Sequence, residues 1–225
     1  MRLFLTGVFF LSSLTPVFAK GAAQRLEESA AVLSEIMATP DKGIPHDLLD
    51  RAHCVVVVPG MKKGAFVVGA QYGKGFLTCR ASAGGWSAPA AIKVEGGSVG
   101  LQIGGSETDV VMLVMNERAV NKLLSSKFTL GAEGEVAAGP VGRTSSAETD
   151  AKMTAEILSW SRSKGLFAGI SLKGATLRPD SDENEELYGR KIENREIVMS
   201  TKPPAAASRL ESVLNQYSPH EKKSE

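Results

Sequence analysis

Three histidines and two cysteines are the residues of this chain best equipped for acid–base, nucleophilic or metal chemistry, and their spacing serves none of it well. His220 stands near the C-terminus, while His46 and His53 flank a short helical segment without the neighbouring carboxylate or cysteine spacing that holds a metal ion. His53 precedes Cys54, but adjacent strand residues point to opposite faces, which separates the imidazole from the thiol it would have to activate. Gly69-Ala-Gln-Tyr-Gly73-Lys74 approaches a phosphate-binding loop, yet it is one residue short. Gly75 stands where a hydroxyl would hold magnesium, and the segment reads as a hairpin, not as a strand leading into a helix. The stretch from Gly96 to Gly105 likewise lacks the helix of a dinucleotide fingerprint, so turns and close strand packing account for the glycines. No catalytic residue, metal or cofactor is expected.

Charge is more informative, because it is segregated along the chain. The formal net charge is only +1. Even so, no acidic residue occurs between Arg51 and Val94, a stretch containing Lys62, Lys63, Lys74, Arg80 and Lys93. A second acid-free block, Ile157 to Pro179, carries Arg162, Lys164, Lys173 and Arg178. If Lys62, Lys63, Lys74 and Lys164 occupy turns at one end of a sheet, they form an anion-attracting patch. The alternative is that they are solvated turn residues, partly neutralised by the acidic run 180–186.

The elements that must position these groups follow from periodicity. Leu26, Ala30, Leu33, Ile36 and Met37 recur at helical spacing, predicting an amphipathic helix over 22–38 with Glu27, Glu28 and Glu35 elsewhere on the wheel. A second short helix runs over 44–52 with Pro45 in its first turn. Cys54 to Val58 reads as a strand buried on both faces and closed by Pro59-Gly60. Residues 64–81 read as a hairpin turning at Gly73-Lys74-Gly75, and further strands over 86–94, 98–103 and 109–115 complete an antiparallel meander. Asn116 caps a helix over 117–124. Strands are predicted over 128–138, 157–162 and 166–172, the start of a helix at 180–186 and a last helix at 205–217. The fold class is α+β: an antiparallel, strongly curved or barrel-like sheet of many short strands flanked by N-terminal, middle and C-terminal helices.

The two ends of the chain differ from this domain. Arg2, the short apolar run Leu3 to Leu14, Pro16 and Val17-Phe18-Ala19 have the order of a secretory signal cleaved after Ala19, and the run is too short to cross a bilayer. Residues 1–19 are thus read as a signal peptide, 22–217 as a single domain and 218–225 as a disordered tail. The expected location is periplasmic or secreted, with peripheral membrane association. In an oxidising compartment Cys54 and Cys79 are able to form a disulfide, although two buried free thiols in apolar strands fit the sequence equally well.

Seven ordered segments resemble the SYLF domain family: Val55-Val-Val-Val-Pro-Gly, Tyr72-Gly-Lys-Gly, Gly85-Trp-Ser-Ala-Pro, Gly97-Ser-Val-Gly-Leu-Gln-Ile-Gly-Gly, Asp109-Val-Val-Met-Leu-Val-Met-Asn, Ala137-Ala-Gly-Pro-Val-Gly-Arg and Ser159-Trp-Ser-Arg-Ser-Lys-Gly-Leu-Phe-Ala-Gly. The resemblance covers about Ala31 to Tyr188. It implies a non-catalytic lipid-binding module for phosphoinositides and other anionic lipids, with actin binding in some eukaryotic members. In those members a basic amphipathic N-terminal helix contributes to membrane contact. Here Glu27, Glu28 and Glu35 outweigh Arg25, so contact with an anionic surface should pass instead through basic turns or an apolar pocket. The expected lipid-binding residues are Lys62, Lys63, Lys74, Arg143, Arg162 and Lys164. The expected partner is an anionic lipid or membrane surface, not a nucleic acid. An envelope protein-interaction or scaffold module without a lipid ligand is the alternative.

Overall fold

The computed structural model describes residues 20–39, 43–82, 84–125, 127–139, 155–163, 166–167 and 172–219, with backbone alone at 65–68, 98–104 and 167. The proposed signal peptide, the end of the proposed tail, Arg143 and Lys164 therefore lie outside the described residues. Two strands dominate, β1 (Cys54–Cys79) and β2 (Ala90–Val114), paired antiparallel from Cys54 opposite Val114 to Leu77 opposite Ala90. The expected hairpin at Gly73-Lys74-Gly75 does not form, and neither do breaks at glycine pairs 96–97 and 104–105. Both strands run straight through these positions, and the meander is replaced by one long ribbon.

The ribbon curls until its start and finish touch. Cys54 and Cys79, at opposite ends of β1, are joined by a disulfide with an S–S distance of 2.02 Å. A Cβ on Gly75 would lie 2.0 Å from the Val57 carbonyl oxygen, so the glycines read as a turn instead let one length of β1 pass against another. At Pro59-Gly60 one extra residue enters β1 between Val58 and Met61. Gly60 adopts a φ of +57°, which a residue with a Cβ tolerates poorly, and its N–H donates to Asp109 Oδ1 at 2.9 Å.

Shorter strands extend both arms of the ribbon. On β2, residues 109–114 pair with β5 (Ile157–Ser163) and residues 92–95 with β7 (Thr176–Pro179). β3 (Phe128–Thr129) joins β7, β6 (Leu166–Phe167) joins β5, and β4 (Val136–Ala138) runs parallel to β5. The resulting seven-stranded sheet is otherwise antiparallel, in the expected α+β class. The single expected strand over 128–138 is two short ones, and of the expected strand over 166–172 only Leu166–Phe167 is described as strand.

Strand alternation divides the core in two. Cys54, Val56, Val58, Leu77, Cys79, Ile92, Val94, Val110 and Met112 pack together inside the curl, with Ala119 and Leu123 of α3 (Glu117–Leu123). Val55, Val57, Phe76, Val111, Leu113, Leu158 and Trp160 face the other way, onto α1 (Ala22–Met37), α2 (His46–Arg51) and α6 (Ser208–Tyr217). All of Cys54 to Val58 is buried, as a strand covered on both faces requires. Asn116 caps α3 as expected, its side chain accepting from Ala119 N–H at 2.8 Å. Helices α4 (Ser181–Tyr188), capped by Asp180, and α5 (Asn194–Ser200) lie further along the chain, followed by a 3-10 turn, Ala205–Ala207, that leads into α6.

Candidate binding surface

The cations expected to meet a ligand separate into two kinds. Lys74 is not a turn residue: it lies within β1, with Nζ 2.5 Å from Asp180 Oδ2 and 3.3 Å from Glu183 Oε2. Glu183 is also paired with Arg25 of α1, so this cluster binds β1, α1 and the start of α4 together. Burial pulls the Lys74 ammonium downward, but the two carboxylates outweigh it and hold its pKa above the ordinary lysine value. Arg162 is engaged in the same way, with Nη1 2.6 Å from Glu35 and Nη2 3.2 Å from Asp109, joining β5 and β2 to the end of α1. Desolvation lowers its pKa, and those two partners more than restore it.

Lys62 and Lys63 are different. Lys62 is exposed and Lys63 half-buried, and neither has an ion-pair partner among the described residues. Glu107 stands opposite Lys62 in register, but its carboxylate lies over Gly60. Beside this rung, Ser163 Oγ donates to the Glu107 carbonyl at 2.9 Å, and Ser163 pairs with Leu166. Leu166 is 73% exposed, an unusual state for a leucine in a strand. Lys62 thus stands near an exposed apolar side chain without an ion-pair partner among the described residues, and Lys63, the next residue of the strand, points to the opposite face. Lysine identity made the cations visible in the sequence; the Leu166 exposure depends on a two-residue strand and was not visible there.

A second, polar cleft of about 520 Å³ went unread in the sequence. Arg118, Lys122 and Lys173 line it together with Glu133, Glu135 and Glu156. Its charges largely answer one another: Glu156 lies 3.7 Å from Arg118 and 3.9 Å from Lys122, and Lys122 also donates to the Glu133 carbonyl. The Glu133 carboxyl is held below its ordinary pKa by the N–H of Thr129.

The groups first considered for catalysis do not converge. Cys54 has its sulfur in the disulfide, which leaves no thiolate for His53 to activate. His46 contacts the Tyr217 carbonyl and ring instead of an acidic partner. The stretch from Gly96 to Gly105, weighed as a dinucleotide fingerprint, lies inside β2 with no helix opening from it. Among the described residues no group of histidine, cysteine and carboxylate side chains is placed to hold a metal, and no helix is long and apolar enough to cross a membrane. Arg80, read in the sequence only as one cation of the acid-free stretch, donates to the carbonyls of Leu49, Asp50, Ala52 and Ser218 and lies 3.8 Å from the centre of the Trp86 ring. It ties the ends of α2 and α6 to the disulfide-closed base of the ribbon.

A mostly antiparallel sheet curled on itself and backed by helices defines a domain of the α+β class. The chain belongs to the Ysc84 family, whose model, described as "Las17-binding protein actin regulator", matches residues 95–217, in agreement with the SYLF resemblance. It is 35% identical over 201 residues to the rat "SH3 domain-containing YSC84-like protein 1", covering 88% of this chain and 58% of that one. It is 37% identical over 176 residues to a fission yeast "SH3 domain-containing protein PJ696.02", covering 76% of this chain and 41% of the relative. For the budding yeast "LAS seventeen-binding protein 3" the identity is 34% over 178 residues, with 77% and 39% covered. The chain thus spans 58% or less of the length of these relatives.

Proposed function

We propose that this chain is an exported, non-catalytic module that binds anionic lipid at the cell envelope, with Lys62 and Lys63 meeting the headgroups. The observation that carries this reading is the contrast among its cations: Lys74 and Arg162 are neutralised within the fold, whereas Lys62 and Lys63 have no described carboxylate partner and Lys62 stands near exposed Leu166. Each basic residue close to an anionic surface contributes about 1 kcal/mol. The N-terminal helix supports the same placement by elimination, because its apolar residues Leu26, Leu33 and Ile36 are fully buried in the core and are not available to a membrane. Flotation of the chain from residue 20 with anionic vesicles at low salt tests the proposal. Association that drops about tenfold or more in Lys62→Glu/Lys63→Glu is expected from reversing two such contacts. No association, or association indifferent to the reversal, would refute it.

A protein partner is the second reading, favoured by the printed names of the relatives, one of which is a LAS seventeen-binding protein. Capture of a defined envelope protein, together with negative flotation, would select it.

A further inference from the structure

We propose that the polar cleft beside α3 is a second binding site, built for a small zwitterion that carries an ammonium and an oxyanion in one molecule. None of its lining residues belongs to the lysine surface invoked above, so the two readings stand or fall separately. The cleft, of about 520 Å³, has the size of a small-molecule site. Arg118 and Lys122 of α3 form one wall, residues 131–136 between β3 and the start of β4 form another, and Glu156 and Lys173 complete it.

Two glycines of the second wall set its chemistry. Gly131 N–H donates to the Gly134 carbonyl at 2.7 Å, which fixes one against the other. Gly131 has a φ of +82°, and a Cβ there would lie 2.6 Å from Cγ of Lys173, so the bare backbone lets the lysine stem lie across it. A Cβ on Gly134 would lie 2.6 Å from Oε2 of Glu156 and 2.5 Å from the ring of Phe128, which is fully buried and cannot give way. One cation and one carboxylate are thereby seated on a single hydrogen-bonded turn. They do not pair with each other, since the ion pairs of Glu156 go to Arg118 and Lys122, and Lys173 has none among the described residues.

Glu156 is itself loosely answered. Its side chain is only 16% exposed, yet it lies 3.7 Å from Arg118 and 3.9 Å from Lys122, both longer than a hydrogen bond. The Lys122 ammonium donates instead to the Glu133 carbonyl, and the Glu133 carboxylate accepts the Thr129 N–H at 2.6 Å. Arg118, with its side chain 77% exposed, has room to turn toward a ligand.

This distribution selects the occupant. Arg118, Lys122 and Lys173 face Glu133, Glu135 and Glu156 across one cleft, so an anion alone or a cation alone meets as much repulsion as attraction. A molecule with both charges gains at each end: its ammonium donates to Glu156, and its oxyanion accepts from Lys173 and Arg118. The phosphoethanolamine group has this chemistry, whether as a free compound or as the headgroup of a phospholipid.

Titration of the chain from residue 20 with O-phosphoethanolamine, followed by amide NMR and calorimetry, tests the site. The Gly131 and Gly134 amide resonances should shift saturably, while inorganic phosphate alone and ethanolamine alone bind at least about tenfold more weakly. Glu156→Gln, which keeps the shape of the side chain, should remove the preference over phosphate. Lys173→Ala, at an exposed position, should remove the preference over ethanolamine. Lys62→Glu/Lys63→Glu should bind O-phosphoethanolamine as the wild type does. Vesicles containing phosphatidylethanolamine, set against phosphatidylcholine alone, separate the two sources: displacement of the free compound assigns a lipid headgroup, and no displacement assigns a soluble zwitterion. Absence of a saturable shift, phosphate binding as tightly as the zwitterion, or binding that survives both Glu156→Gln and Lys173→Ala would overturn the proposal.

Discussion

The base and the middle of one ribbon have the same residue texture and opposite surroundings. At the base, Gly73 and Gly75 are pressed against Val57, Val58 and Met61, and the strand ends are joined through Cys54 and Cys79. In the middle, Gly64 has no described atom within 4 Å of where a Cβ would stand, and Gly97 and Gly105 meet only a carbonyl of the paired strand at 3.9 Å. Glycine lowers strand stability through its backbone entropy. At the base, close packing offsets that cost; at Gly64, Gly97 and Gly105 no described contact does, although Gly96 is pressed against Gln71 and Ala175. The base is therefore the part of the ribbon whose glycines serve close approach within the fold, a role that Gly64, Gly97 and Gly105 do not share among the described residues.

The sharpest break of this comparison is a pair of identical substitutions. Gly75→Ala should cost about 4 kcal/mol, at the severe end for a single change, because its new methyl meets the Val57 carbonyl, which belongs to a buried strand and has nowhere to move. Gly64→Ala should stay within about 0.5 kcal/mol of wild type. Urea denaturation of the two variants checks both values. Equal losses would mean that the middle is packed as tightly as the base.

Removing the disulfide is the next largest effect. Cys54→Ala/Cys79→Ala frees a loop with a sequence separation of 25, and constraint of that loop in the unfolded chain is worth about 3 kcal/mol. The variant should melt earlier, as should the wild type in reductant, while vesicle association measured below the transition stays unchanged. A large change in association with little change in stability would show that closure at the base controls the middle.

The difference between these regions explains what the sequence disclosed. Local signals were legible: the Leu26–Leu33–Ile36 periodicity of α1, the Asn116 cap, and the β-branched run Val55 to Val58 each act within a few residues. Gly73-Lys74-Gly75 misled because a glycine that permits a turn and a glycine that permits close approach look alike, and the distinction rests on Val57, remote in sequence. The four-residue β7 and the short α5 have too few residues for a periodic signal. At the candidate site, the identities of Lys62 and Lys63 were legible, and neutralisation by the acidic run 180–186 was the alternative weighed for these lysines; it holds for Lys74, paired with Asp180 and Glu183, but nothing local in the sequence separates Lys74 from Lys62 and Lys63.

Lys74 and Lys62 therefore give the last and smallest contrast, two lysines of one strand with different work. Lys74→Met leaves Asp180 and Glu183, with side chains only 3% and 2% exposed, facing one cation fewer, although Arg25 still serves Glu183. Since the Lys74 ammonium is itself partly solvated, the loss near neutral pH should be about 2 kcal/mol, below that for breaking a fully buried pair. Its pKa in the folded chain is raised above 10.5, so its contribution is complete below that value and disappears as pH rises through the folded pKa. The stability gap between wild type and Lys74→Met, followed by urea denaturation from neutral to strongly alkaline pH, should therefore narrow only above about 10.5. Lys62→Met should change stability by no more than about 0.5 kcal/mol and act instead on vesicle association. A gap for Lys74 that ignores pH would disprove the ion pair as its cause, and equal stability losses for both lysines would erase the division between cations that maintain the fold and cations that meet a ligand.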